Sequence, residues 1–120
     1  MKKITTFLLA CLTIATILSF TSCATKREKD ALRTAQRFID TFAISEQKIM
    51  EDLENLGYSY EEIEYAMDKC DVDWYDEAVE AAENLLESST NLTEDQIIAW
   101  LELAGFTSSE AEYAAEEVLE

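Results

Sequence analysis

Apolar positions along the 120-residue chain fall into two regimes. Residues 4–20 form an uncharged, mostly apolar run. From about residue 30 onward, apolar side chains recur at the i, i+3, i+4, i+7 spacing of amphipathic helices. Ala31, Leu32, Ala35, Phe38, Ile39 and Phe42 predict a first helix over about 30–43. Ser45 is placed to cap a second helix, whose apolar stripe is Ile49, Leu53 and Leu56. Gly57 stands where a glycine in the left-handed conformation ends a helix. Ser59-x-x-Glu62 then has the form of a capping box and opens a third helix, expected to bury Ile63, Ala66, Met67 and Cys70. The signals return in order. Asp71 or Asp73 caps a helix reaching about Ser88, Thr93-x-x-Gln96 and Thr107-x-x-Glu110 are further capping boxes, and Gly105 is a second stop. The chain has no proline and no strand-like alternation, so the fold class is all-α.

The return of signals is an internal repeat. Ala31-Leu32-x-x-Ala35-x-x-Phe38-Ile39 aligns with Ala78-Val79-x-x-Ala82-x-x-Leu85-Leu86. After a one-residue shift, Ser45-Glu46-x-x-Ile49-x-x-x-Leu53 aligns with Thr93-Glu94-x-x-Ile97-x-x-x-Leu101. Gly57-Tyr58-Ser59-x-x-Glu62-Ile63-x-Tyr65-Ala66 aligns with Gly105-Phe106-Thr107-x-x-Glu110-Ala111-x-Tyr113-Ala114, so both glycines of the chain are equivalent. Such a period marks stacked supersecondary units. The expected organisation is two tandem three-helix repeats over 31–70 and 71–120, each containing a helix-turn-helix-like step.

The first regime is read differently. Lys2 and Lys3 precede the apolar run, and Phe20-Thr21-Ser22-Cys23 follows it. A charged start, an apolar stretch and small residues before a cut site define an export signal rather than part of a fold. The run is also short for a bilayer span of roughly 20 residues. The last four of these residues resemble a lipobox, with Phe20 where leucine is usual. That resemblance implies cleavage after Ser22 and a diacylglycerol thioether on Cys23. Residues 1–22 are then signal, and 23–30 read as a short polar tether. Lys26, Arg27, Lys29, Arg33 and Arg37 place positive charge near the membrane end, where anionic lipid can attract it. The expected location is the outer face of the cytoplasmic membrane.

Charge narrows function further. The chain carries a formal −17, and losing Lys2 and Lys3 with the signal takes it to −19. From residue 38 to the end there are 24 acidic residues against two basic ones, Lys48 and Lys69. Nucleic acid is therefore not an expected partner, because binding it requires neutralising phosphates. In the third helix, Glu61, Glu62, Glu64 and Asp68 would repel a duplex. With no histidine, Ser-His and Cys-His nucleophile pairs are impossible. Once Cys11 leaves and Cys23 is lipidated, Cys70 is the one remaining thiol and reads as a small core residue. No catalytic residue, cofactor or metal site is expected, and the chain is not read as an enzyme. Asp68, Asp71, Asp73 and Asp76 offer oxygen ligands that Ca²⁺ could use, but they lack the glycine and terminal spacing of an EF-hand loop, and helix capping accounts for most of them.

Taken together, these features resemble the Ltp family of surface-exposed lipoproteins of Gram-positive bacteria and their prophages. The resemblance rests on the lipobox, the short tether, and the doubled Ala-x-x-Ala … Gly-Tyr/Phe-Ser/Thr-x-x-Glu-x-x-Tyr-Ala unit joined by Val72-Asp73-Trp74. It covers 31–120. It implies paired helix-turn-helix-like repeats and superinfection exclusion, in which a host-anchored lipoprotein blocks phage DNA injection by engaging the phage tape measure protein. The alternative is a cell-surface lipoprotein that binds envelope or host components, unrelated to phage.

A strongly acidic surface steers basic partners, so the acidic side chains between the apolar stripes are the candidate contacts. They are Glu51, Asp52, Glu54, Glu61, Glu62 and Glu64 in the first repeat, and Glu94, Asp95, Glu102, Glu110, Glu112 and Glu116 in the second. Trp100, beside the Ile97–Leu101 stripe, is the aromatic candidate. Trp74 and Tyr75 are expected to lock the repeats together. Tyr58, Tyr60, Tyr65, Phe106 and Tyr113 stay open between packing and contact. Asn91-Leu92-Thr93 matches a glycosylation sequon and is read as a helix start.

Overall fold

The computed structural model describes residues 23–120, so the signal segment lies outside the described residues. Six helices follow one another: α1 (Lys26–Thr41), α2 (Glu46–Asn55), α3 (Tyr60–Lys69), α4 (Trp74–Ser88), α5 (Glu94–Leu103) and α6 (Ser108–Leu119). They form two repeats of three, all-α throughout the described residues. In each repeat the long first helix lies against the third, α1 on α3 and α4 on α6, and the short middle helix closes the bundle. Alanines let the long pair approach: Ala31 and Ala35 meet the side of Ala66, and Ala78 and Ala82 meet that of Ala111 and Ala114. Ile49 and Leu53, and their equivalents Ile97 and Leu101, are fully buried and fill the centre of each repeat.

Helix boundaries are set by caps. Ser45 accepts from the Lys48 N–H, and Ser59 with Glu62, Thr93 with Gln96 and Thr107 with Glu110 form reciprocal boxes. Asp73, not Asp71, caps α4. Both middle helices end in a Schellman motif. In the first, Gly57 N–H donates to Glu54 O and Tyr58 N–H to Leu53 O; in the second, Gly105 donates to Glu102 O and Phe106 to Leu101 O. Gly57 and Gly105 sit at φ +94° and +102°, where a side chain is strained.

Three expectations are corrected. The tether is shorter than 23–30, because Thr25 and Glu28 form another capping box and α1 begins at Lys26. Phe42 and Leu56 are exposed rather than core; both are C-cap residues, where the stripe has run past its partner helix. Tyr75 does not join the repeats but stacks edge-on against Tyr113 of α6, centroids 5.3 Å apart. At the repeat junction Asp73 is occupied by the Tyr75 N–H, and among the described residues no three potential metal ligands cluster.

Each repeat keeps its own core, and each lends the other one residue. Trp74, at the start of α4, packs against the first core, as expected of a lock. Ala43, in the α1–α2 link, packs against the second.

Candidate surface trough across the repeat seam

The two glycine turns are locally alike and differently held. In the first repeat, Arg27 of α1 reaches the turn. Its Nη2 donates to Gly57 O at 3.0 Å, its Nε to Glu62 Oε2 at 2.9 Å, and its guanidinium lies 5.1 Å from the Tyr58 ring centroid. In the second repeat the position equivalent to Arg27 is Trp74, which serves the other core. There the turn is met by Ser45 of the first repeat. Ser45 Oγ donates to Ala104 O at 2.9 Å while accepting from Lys48 N, so one buried hydroxyl starts α2 and satisfies a terminal carbonyl of α5. Nearby, Ile44 N–H donates to Glu77 Oε2 of α4 at 3.3 Å. Burial pushes the Glu77 carboxyl above its ordinary range, with Glu80, Asp76 and Asp40 adding repulsion.

This seam sets α2 beside the end of α5 and the start of α6. The result is a trough of three adjoining grooves across the outer face of α2. One is lined by Gln47, Glu51, Trp100, Leu103 and Gly105. The next, sharing Gln47, Glu51 and Gly105, adds Glu46, Met50, Glu54 and Thr107. The last, sharing Glu46 and Met50, extends to Tyr60, Glu64, Met67 and Asp68 on α3. Trp100 also borders a groove on its far side, with Phe42, Glu80 and Asn84. Trp100 is 53% exposed, Tyr60 74% and Leu103 87%, so large apolar side chains stand open among carboxylates. A lysine lies on this face, but Lys48 Nζ is bound to Asp52 at 2.7 Å, which also raises its pKa. The trough is therefore acidic with an apolar floor, suited to a basic, partly apolar chain segment.

Of the thirteen nominated contacts, the structure brings Glu51, Glu54, Glu64 and Trp100 into this trough. Glu110 borders it but is buried as the Thr107 capping partner. Glu62 is engaged by Ser59 and Arg27, which hold its carboxyl below the ordinary range, and Asp52 is taken by Lys48. Glu61, Glu94, Asp95, Glu102, Glu112 and Glu116 are exposed elsewhere and line none of these three grooves. The sequence reading missed Met50, Leu103 and Phe42 as surface residues. For Met50 and Leu103 the signal available was an apolar residue off the buried stripe of a short helix; Phe42 instead continues the α1 stripe past the helix end. Phe106 is resolved as core. Cys70 is buried, its thiol pushed up by desolvation, which agrees with packing rather than reactivity. Cys23 is exposed, three residues before α1.

Comparison with known proteins decides the family. The sequence pattern described as host cell surface-exposed lipoprotein, Ltp, matches residues 26–69 and 73–118, one match per repeat. The chain belongs to this family. The Ltp match begins at the first residue of α1 and breaks between α3 and α4, where the two repeats meet. A solved structure is similar in fold: that of Ltp, a superinfection exclusion protein from the Streptococcus thermophilus temperate phage TP-J34. It is 24% identical, with a TM-score of 0.70, over 78% of this chain and 97% of that one. No curated protein sequence matches the chain. Among the described residues no helix is long and apolar enough to cross a membrane.

Proposed function

We propose that this Ltp-family lipoprotein is held on the outer face of the membrane by a diacylglycerol on Cys23 and excludes phage by binding. Its partner is a basic segment of an incoming phage tail protein, of the tape measure class. The observation that carries this reading is the acidic, apolar-floored trough across the repeat seam, with Trp100 open at one end and Tyr60 at the other. Aromatic side chains in a partly desolvated groove are the usual anchors of an interface, and surrounding carboxylates raise the encounter rate with a cationic segment. Glu51, Glu54 and Glu64 supply the charge and Trp100 the anchor. The fold shared with a superinfection exclusion protein supports the same reading.

The test is phage challenge of cells expressing the protein. Phage should adsorb normally while DNA uptake falls. Cys23→Ala with secretion retained should remove most protection, because the soluble domain is diluted away from the membrane. Unchanged DNA uptake across a broad phage panel would contradict the proposal.

A further inference from the structure

The mature chain is strongly acidic, yet five of its seven basic residues lie on α1. Arg27 is also exposed but turned to one side, where it holds the Gly57 turn. The other four do something different. Lys26, Lys29, Arg33 and Arg37 are spaced i, i+3, i+7 and i+11, and at 100° per residue they fall within about 80° of one another around the helix. All four are exposed. Ala31 and Ala35, which mark the side packed on α3, lie on the opposite side of the same helix. Asp30 offsets part of this charge through a 3.4 Å pair with Arg33, and exposed Asp40, three residues past Arg37 and within the same arc, offsets more at the far end.

The stripe is adjacent to Cys23. Two residues separate Cys23 from Lys26, a reach of roughly 10 Å even when fully extended. The Thr25–Glu28 capping box fixes where the helix begins, so a lipid on Cys23 enters the bilayer close to the first basic side chain. From Lys26 to Arg37 the stripe runs about 16 Å along the axis.

We infer that α1 lies along the membrane surface with Lys26, Lys29, Arg33 and Arg37 on anionic phospholipid headgroups. The inference rests on the lipid being carried by Cys23. It sets α2 and α3 on the far side of α1 from the bilayer, so the trough faces outward. Each basic side chain near an anionic leaflet favours the docked state about fivefold, and the effect is confined to about a Debye length.

After Cys23 the chain has four lysines, two on the stripe and two elsewhere, Lys48 and Lys69. They form a built-in footprint. The lipidated protein is reconstituted into vesicles of phosphatidylcholine alone or with added phosphatidylglycerol. It is then treated with a water-soluble amine reagent and read by mass spectrometry. On anionic vesicles, labelling of Lys26 and Lys29 should fall at least about fivefold relative to neutral vesicles, and recover in high salt. Lys48 and Lys69 should change less than about twofold. Arg33→Gln with Arg37→Gln should weaken the protection. Flotation with both vesicles and equal labelling of Lys26 and Lys29 would overturn the inference while leaving the anchor intact. Flotation with anionic vesicles alone would support the stripe and contradict the lipid on Cys23. Flotation with neither would contradict both.

Discussion

Gly57 and Gly105 occupy the same position in two copies of one motif, and their surroundings differ. A Cβ on Gly57 would meet nothing within 4 Å, whereas one on Gly105 would lie 2.5 Å from Ser45 Oγ. The first turn is held from outside by Arg27 of its own repeat. The second is pressed from across the seam by Ser45 of the other. Local sequence therefore specifies the turn, and long-range packing decides what the turn is for. In the second repeat the turn has become a docking point that brings α2 beside Trp100 and so creates the trough.

The largest expected effect is on that asymmetry. Gly105→Ala should cost about 3 kcal/mol, combining left-handed strain with displacement of the α2 cap. Gly57→Ala should cost about 1 kcal/mol, from strain alone. Ser45→Gly in the Gly105→Ala background should recover the difference, because glycine still caps within a few tenths of a kcal/mol. Chemical denaturation of the four proteins reads this directly. Equal costs at the two glycines would break the comparison.

Arg27→Ala comes next. It should cost about 1 kcal/mol through the lost contact with Tyr58 and the Gly57 carbonyl. Its double-mutant coupling to Ser45→Gly should be near zero, since the two clamps share no partner.

The smallest effect is on pH. Glu77 titrates above its ordinary value in the folded state. The folded chain thus binds this proton more readily than the unfolded one, and stability should rise as pH falls from neutrality toward the ordinary carboxylate range. In Glu77→Gln that rise should shrink. Glu62 has the opposite sign: its folded pKa is lowered, so its contribution is present above the ordinary carboxylate range and lost as pH falls further through the lowered value. Thermal melts across this range should therefore show a maximum on the acid side of neutrality. A stability that only falls from pH 7 downward would contradict the Glu77 assignment.

What could be read in the sequence was what is local. Ser59–Glu62, Thr93–Gln96 and Thr107–Glu110 are complete within four residues, and all three form. Thr25–Glu28 has the same form but lies in a run of charge without an apolar stripe, so periodicity does not mark the start of α1. Phe42 and Leu56 continue the apolar period past the point where a neighbouring helix is available to cover them, which periodicity alone does not reveal. The seam was hidden for a stronger reason. Ser45 and Ala104 are 59 residues apart, and nothing in either copy of the repeat marks the one that crosses. The dispersed acidic residues looked equivalent in sequence; the fold separates caps such as Glu62 and Glu110 from trough residues such as Glu51 and Glu54.

Under the proposed function the trough, rather than overall negative charge, engages the partner. Two charge-matched variants of the anchored protein decide it in phage challenge. One carries Glu51→Gln, Glu54→Gln and Glu64→Gln in the trough. The other carries Glu83→Gln, Glu87→Gln and Glu117→Gln, all exposed and outside it. With expression and adsorption equal, the first should lose most of its block on phage DNA uptake and the second should keep it. Equal loss in both, or loss in neither, would contradict the assignment.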